Sequence, residues 1–192
     1  MTSILKVDTI QGANGSDIPY IKGHTLQTVV HQELGMTFFT AGTAGTDLLL
    51  LPANADDSTS HLSLTITPKS TSSKILLTTS IFFEGSDASM HEYLWAIYRD
   101  STKLGQPHVG GRRGGIMSTS LNYHTADVGS TPDSVTFSYY DTPNTTSAIT
   151  YAVSFNHSVT GVSAYLNRTV NDTGDISHER GVSILIAQEI GG

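Results

Sequence analysis

The sequence predicts an all-β protein, an antiparallel jelly roll or β-sandwich carrying an extended N-terminal arm. Three observations predict it. Run after run alternates apolar and polar residues with the two-residue period of a strand. Gly, Pro, Asn and Asp punctuate these runs at short intervals, as in sandwiches and jelly rolls. No window of about a dozen residues holds a capped 3.6-residue apolar stripe, so helix is nearly absent.

The elements follow in order. SILKVDTIQ presents Ile4, Leu5, Val7 and Ile10, and GANGSDIP then interrupts it with turn residues. A short apolar segment cut off in this way cannot bury itself. Residues 1–22 are therefore read as an anchoring or intertwining arm, and residues 23–192 as the β-sandwich domain. DLLLLPANADD reads either as a strand entering a loop or as a single helical turn. HLSLTIT sets Leu62, Leu64 and Ile66 against His61, Ser63, Thr65 and Thr67, and Pro68 ends it. KILLTTSIFFEG is longer and more apolar, as expected of a central strand covered on both sides. YLWAIYRD is bulky on both faces. SVTFSYY aligns Val135, Phe137 and Tyr139, and AITYAVSF aligns Ile149, Tyr151, Val153 and Phe155. VSAYLN aligns Val162, Ala164 and Leu166. GVSILIAQEI aligns Val182, Ile184 and Ile186, with Leu185 and Ala187 opposite. Strands apolar on both faces need a second covering, and a neighbouring subunit is the simplest one.

A chain of 192 residues can bury a core without staples, and it has no cysteine for a disulfide, a thiolate metal site or a nucleophile. Its net charge of −7 repels phosphate backbones, so nucleic acid is not an expected partner. No segment is long and apolar enough for a helical span, and membrane insertion is not expected. The start lacks a basic region followed by an apolar one, so no secretory leader is expected and synthesis is placed in the cytoplasm.

Catalytic signatures are missing: no GxSxG, no HExxH, no phosphate loop and no EF-hand. HVGGRRGG (108–115) reads as a mobile loop or as a basic fingertip, with Arg112 and Arg113 suited to carboxylate or sulfate groups on a polysaccharide. His24, His31, His61, His91, His108, His124, His157 and His178 show no metal-ligand spacing and read as rim residues. NDTGD (171–175) reads as a hairpin tip before a calcium loop. The N-x-S/T triplets at Asn14, Asn144, Asn156, Asn167 and Asn171 read as turns. Tyr93, Trp95, Tyr123, Tyr139 and Tyr140 could stack on sugars but read first as core or interface. The receptor-contact candidates are His108, Arg112, Arg113, Tyr123 and His124. No metal or cofactor is expected.

Three landmarks carry a resemblance: SILKVDTIQ near the start, ITPKSTSSKILLTTSIFFEG with WAIYRDSTKLG, and DTPNTTSAITYAVSF with a closing GVSILIAQEIGG. In this order they resemble small β-structured virion proteins of tailed bacteriophages, and the C-terminal domains of cyanophage tail fibres in particular. The resemblance covers residues 3–11 and 60–192. Asp100 stands where Gly is frequent in the family. The resemblance implies a homotrimer, a virion location on the tail or outer surface, and no catalytic residues. A tail-fibre or receptor-binding subunit contacting a host cell-surface polysaccharide is the leading expectation. A capsid decoration or tail-adaptor protein, bound to other virion proteins and to no receptor, is the alternative. A glycan-degrading enzyme needs paired carboxylates in a cleft, and the acidic residues here sit mostly in turns.

Overall fold

A computed structural model describes residues 22–87, 89–105, 114–120 and 129–192. Ile4, Leu5, Val7 and Ile10 lie outside the described residues. The strands are β1 (Thr25–Glu33), β2 (Thr37–Thr40), β3 (Leu48–Leu49), β4 (Ser63–Ile66), β5 (Lys74–Gly85), β6 (Leu94–Arg99), β7 (Thr102–Lys103), β8 (Ser118–Thr119), β9 (Asp133–Asp141), β10 (Ile149–Asn156), β11 (Ser163–Leu166) and β12 (Ser183–Ile190). Two 3₁₀ turns, Pro52–Asn54 and Met90–Glu92, complete the inventory of described elements.

The pairings sort these strands into eight lines. β1 and β2 follow one another in a single line, pairing successively with β12 and β11. β5 takes β12 and β11 on one side and β9 on the other. In the second sheet β10 lies between β6 and the line of β3 and β4, and β6 is flanked by β7 and β8. Numbered as the chain reaches them, the lines run 1-8-3-6 in the first sheet and 2-7-4-5 in the second. Consecutive lines thus alternate between sheets except at the fourth and fifth, which is the antiparallel jelly roll.

The inner faces carry the alternation read from the sequence. Ile75, Leu77, Ile81, Phe83, Leu185 and Ala187 of the first sheet meet Trp95, Ile97, Tyr151, Val153 and Phe155 of the second, all fully buried. Phe83 meets Trp95 edge-on, with ring centroids 4.6 Å apart. Tyr93 carries a polar atom into this core and satisfies it there, donating its hydroxyl to Ser163 O at 2.8 Å. That bond joins the second sheet to β11 of the first.

Three sequence readings are refined. DLLLLPANADD is both things at once, since Leu48–Leu49 pair with β10 and Pro52 then starts a 3₁₀ turn. β5 is central in its sheet, but Leu76 and Phe82 face outward and are only half-buried, so one side lacks the expected covering. Tyr93 and Trp95 are core, whereas Tyr140 is 53% exposed. The turn at 141–148 is as read: Pro143 precedes Asn144 at φ 54°, and Thr145 Oγ1 accepts from Ser147 N. Asp100 adopts φ 50°, the left-handed region that favours glycine, and its carboxylate accepts from Thr150 N at 2.9 Å.

Candidate interaction surfaces

The outer face of the first sheet is built by the residues that alternate away from the core. Strand register sets them in rows: Val30, Ile186, Thr78 and Ser138; then Gln32, Ile184, Ser80 and Thr136; then Thr28, Gln188, Leu76 and Tyr140. None of these side chains carries a formal charge at neutral pH. Val30 is 53% exposed, and Val182, just before β12, is 46% exposed. The break between β1 and β2 adds Leu34 and Met36, both exposed. Val30, Ile184, Ile186, Leu76 and Tyr140 are apolar or aromatic and stand among uncharged Thr, Ser and Gln side chains, and depletion of charge is the mark of an interface core.

The outer face of the second sheet is made differently. Its central rows are Ala96, Ser154 and Leu49, and Lys103, Tyr98, Ala152 and Ser63. Ala96, Ala152 and Ser154 are small and buried although they point away from the core. Tyr98 covers this floor, reaching across it to donate its hydroxyl to Asp47 Oδ2 at 2.8 Å. Lys103 Nζ meets the same oxygen at 2.7 Å. Burial, then the bond to Asp47 and its charge, raise the Tyr98 hydroxyl well above the ordinary phenol value.

Polar groups close both long edges of the sandwich. At one edge β9 meets the second sheet through Asp141, whose carboxylate accepts from Arg99 Nη1 at 3.0 Å and from Tyr151 Oη at 2.7 Å. At the other, β1 meets β4. His31 stacks on His61 with centroids 4.0 Å apart and planes 15° apart. His31 Nε2 donates to His61 O at 3.0 Å. Glu33 accepts from His61 N at 2.8 Å and from Gly35 N at 2.6 Å. A Cβ at Gly35 would meet Ser60 Oγ and Glu33 Oε1, so a larger residue there would displace these side chains. Further along, Glu189 accepts from Gln27 Nε2 and from Lys69 N, each at 2.6 Å.

A fourth buried carboxylate organises loops. Glu84 accepts from Gly129 N, Thr131 N, Thr131 Oγ1 and Val170 N, at 2.6 to 3.0 Å. Four donors on one carboxylate stabilise its charge without a cation.

The receptor-contact candidates His108, Arg112, Arg113, Tyr123 and His124 all lie outside the described residues. Among the described ones, Asp172 of NDTGD is taken by Arg180 at 2.5 Å and Arg168 at 3.8 Å, and Asp175 accepts from Ser177 N and Oγ. No cluster of metal-ligating side chains forms among the described residues. Asn156 and Asn167 are buried, so those two triplets present no accessible amide. The reading of histidines as rim residues fails at His157, which is fully buried against Tyr93. It misses the His31–His61 stack altogether, because the partners are 30 residues apart and meet only when the two sheets close.

No protein-family model matches the chain, and no curated protein does either. Among solved structures it is similar to the VP2 subviral particle of infectious bursal disease virus, at 12% identity and a TM-score of 0.35, over 99% of this chain and 42% of that one. The Gt strain of the same virus gives 11% and 0.34, covering 97% and 42%. The Gx strain gives 12% and 0.34, covering 98% and 43%. The chain therefore spans less than half the length of these proteins. Scores this low add nothing to the strand order, on which the fold assignment rests.

Proposed function

We propose that this chain is a virion structural subunit, specifically a homotrimeric tail-fibre or receptor-binding protein that contacts a host surface glycan and catalyses no reaction. One observation carries the reading. The jelly roll seals one outer face with its own side chains and leaves the other uncharged, with Val30, Ile184, Ile186, Leu76 and Tyr140 set among hydroxyl and amide side chains. Each sheet line spans about 26 Å at eight residues, and four lines span about 19 Å, a footprint on the order of 500 Å² per copy. Three such faces turned towards a common threefold axis remove roughly 1,500 Å² in all, about 500 Å² from each copy. An uncharged face is also where copies of an acidic protein approach with least repulsion.

Jelly rolls serve viral shells and lectins alike, so the glycan-binding part rests on fold analogy and on the resemblance at residues 60–192. The buried carboxylates Glu33, Glu84, Glu189 and Asp141 are all committed to structural donors, which supports a role other than hydrolysis. The same open face serves the second reading, a decoration or adaptor protein, if another virion protein covers it. Purified protein added to host cells distinguishes the two. Competition with phage adsorption supports receptor binding. Absence of competition at saturation, with the protein imaged on the particle, supports decoration.

A further inference from the structure

The histidine pair at the β1–β4 edge is absorbed by neither reading above, and its geometry has a consequence of its own. Ser63 N donates to His61 Nδ1 at 3.3 Å, and Ser63 Oγ lies 3.0 Å from the same nitrogen. A backbone N–H can only donate, so Nδ1 is an acceptor and the His61 ring is neutral in this arrangement. His31 Nε2 must carry a hydrogen to bond the His61 carbonyl. Its neighbour Glu33 Oε2, at 3.5 Å, tolerates a charge on that ring.

A second proton is not tolerated. On His61 it removes the acceptor for Ser63 N and sets two positive rings face to face at 4.0 Å. The surrounding charges are few. Glu33 faces the pair from β1, and Asp57 reaches the turn before His61 through Ser60. Glu189 of β12 lies further along the edge, held by Gln27 and Lys69 N. Glu33 can offset one imidazolium but not two, and its other oxygen is already bonded to Gly35 N. Burial, followed by the charge of His31, depresses the basicity of His61.

We propose that the His31–His61 stack is an acid-sensitive latch: protonation of both rings frees edge strand β1 from β4, while the Asp141–Arg99–Tyr151 edge stays closed. This inference does not depend on the virion role. Amide hydrogen exchange on the full chain at about pH 7 and about pH 5, corrected for intrinsic rates, tests it. The amides of His61 and Ser63, whose bonds the latch holds, should exchange about tenfold faster at the lower pH, with those of β9 unchanged. His31→Gln keeps a donor for the His61 carbonyl and removes one charge, so it should abolish most of that acceleration. Equal acid response in the variant, or equal loosening of β9, overturns the latch. Should the variant fail to fold, titration of the native imidazoles by NMR decides the matter. Stepwise protonation with His61 below the ordinary histidine value sustains the proposal, and an ordinary value for His61 overturns it.

Discussion

At the centre of the second sheet's outer face stand Ala96, Ala152 and Ser154, and at the centre of the first sheet's stand Ile184, Ile186 and Leu76. Both sets occupy the same kind of position, pointing away from one shared core. The small set lets Tyr98 cover the sheet and meet Asp47 and Lys103, so that face is finished within the chain. The large set has no such cover among the described rows, and its neighbours Val30, Val182 and Tyr140 remain about half exposed. Side-chain size at a few outward positions thus decides whether a sheet ends in solvent or waits for a partner.

The largest effect should come from charging the open face. Ile186→Asp places an unpaired carboxylate in the middle of the inferred interface, at a cost of about 3 kcal/mol to association, or about a hundredfold. Light scattering should show the proposed trimer reduced to monomer, with the thermal midpoint of the domain almost unchanged. A variant that associates like the native protein would break the comparison. Alkali should act on the other sheet. Burial pushes the Tyr93 hydroxyl up to about 12, and Tyr98 and Tyr151 are raised as well. An acid with a raised value is held neutral by the fold. Its contribution is therefore complete below about pH 10 and lost as pH climbs towards about 12. For Tyr93 this is on the order of 2–3 kcal/mol. Phenolate absorbance should rise together with exchange of β10 amides, and β12 amides exchanging first would contradict the assignment.

Overpacking gives the next contrast. Ser154→Leu forces a large side chain beneath Tyr98 and should cost about 2 kcal/mol in urea unfolding. Thr78→Leu, on the open face, should stay within about 0.5 kcal/mol. Equal costs would mean that both faces are equally closed. A smaller effect than that of Ser154→Leu is expected for Tyr98→Phe, which removes one bond to Asp47 but leaves Lys103 in place, at about 1 kcal/mol. Its stability should lose part of its alkaline dependence in the same experiment.

Much of the fold could be read from alternation alone. Leu62, Leu64 and Ile66, or Ile149, Tyr151, Val153 and Phe155, point inward as their spacing demands, because a half-buried strand must repeat every two residues. β1 and β2 were not legible. TLQTVVHQE lies at an edge where Gln27, through Thr67 O, and His31 and Glu33, through His61, turn inward to bond the opposite sheet, so polar residues occupy core-side positions. In GVSILIAQEI both apolar sets were visible, but only sheet packing assigns Leu185 and Ala187 to the core and Ile184 and Ile186 to the surface. The edge chemistry was invisible for a related reason. His31 with His61, Arg99 with Asp141, and Glu84 with Val170 N are distant in sequence and meet only through the jelly-roll crossing.

The pairing of β1 with β12 joins the first described strand to the last, from Thr25 opposite Ile190 to Glu33 opposite Ser183. During synthesis β1 therefore has no ladder partner until residues 183–190 leave the ribosome. Closing such distant pairs first makes folding slow, in the millisecond-to-second range typical of non-local β topologies. The apolar outer row of Val30 and Ile186 is completed in that same late step. A nascent chain thus cannot offer the finished face before β12 is made, and any association through that face must follow the pairing of β1 with β12.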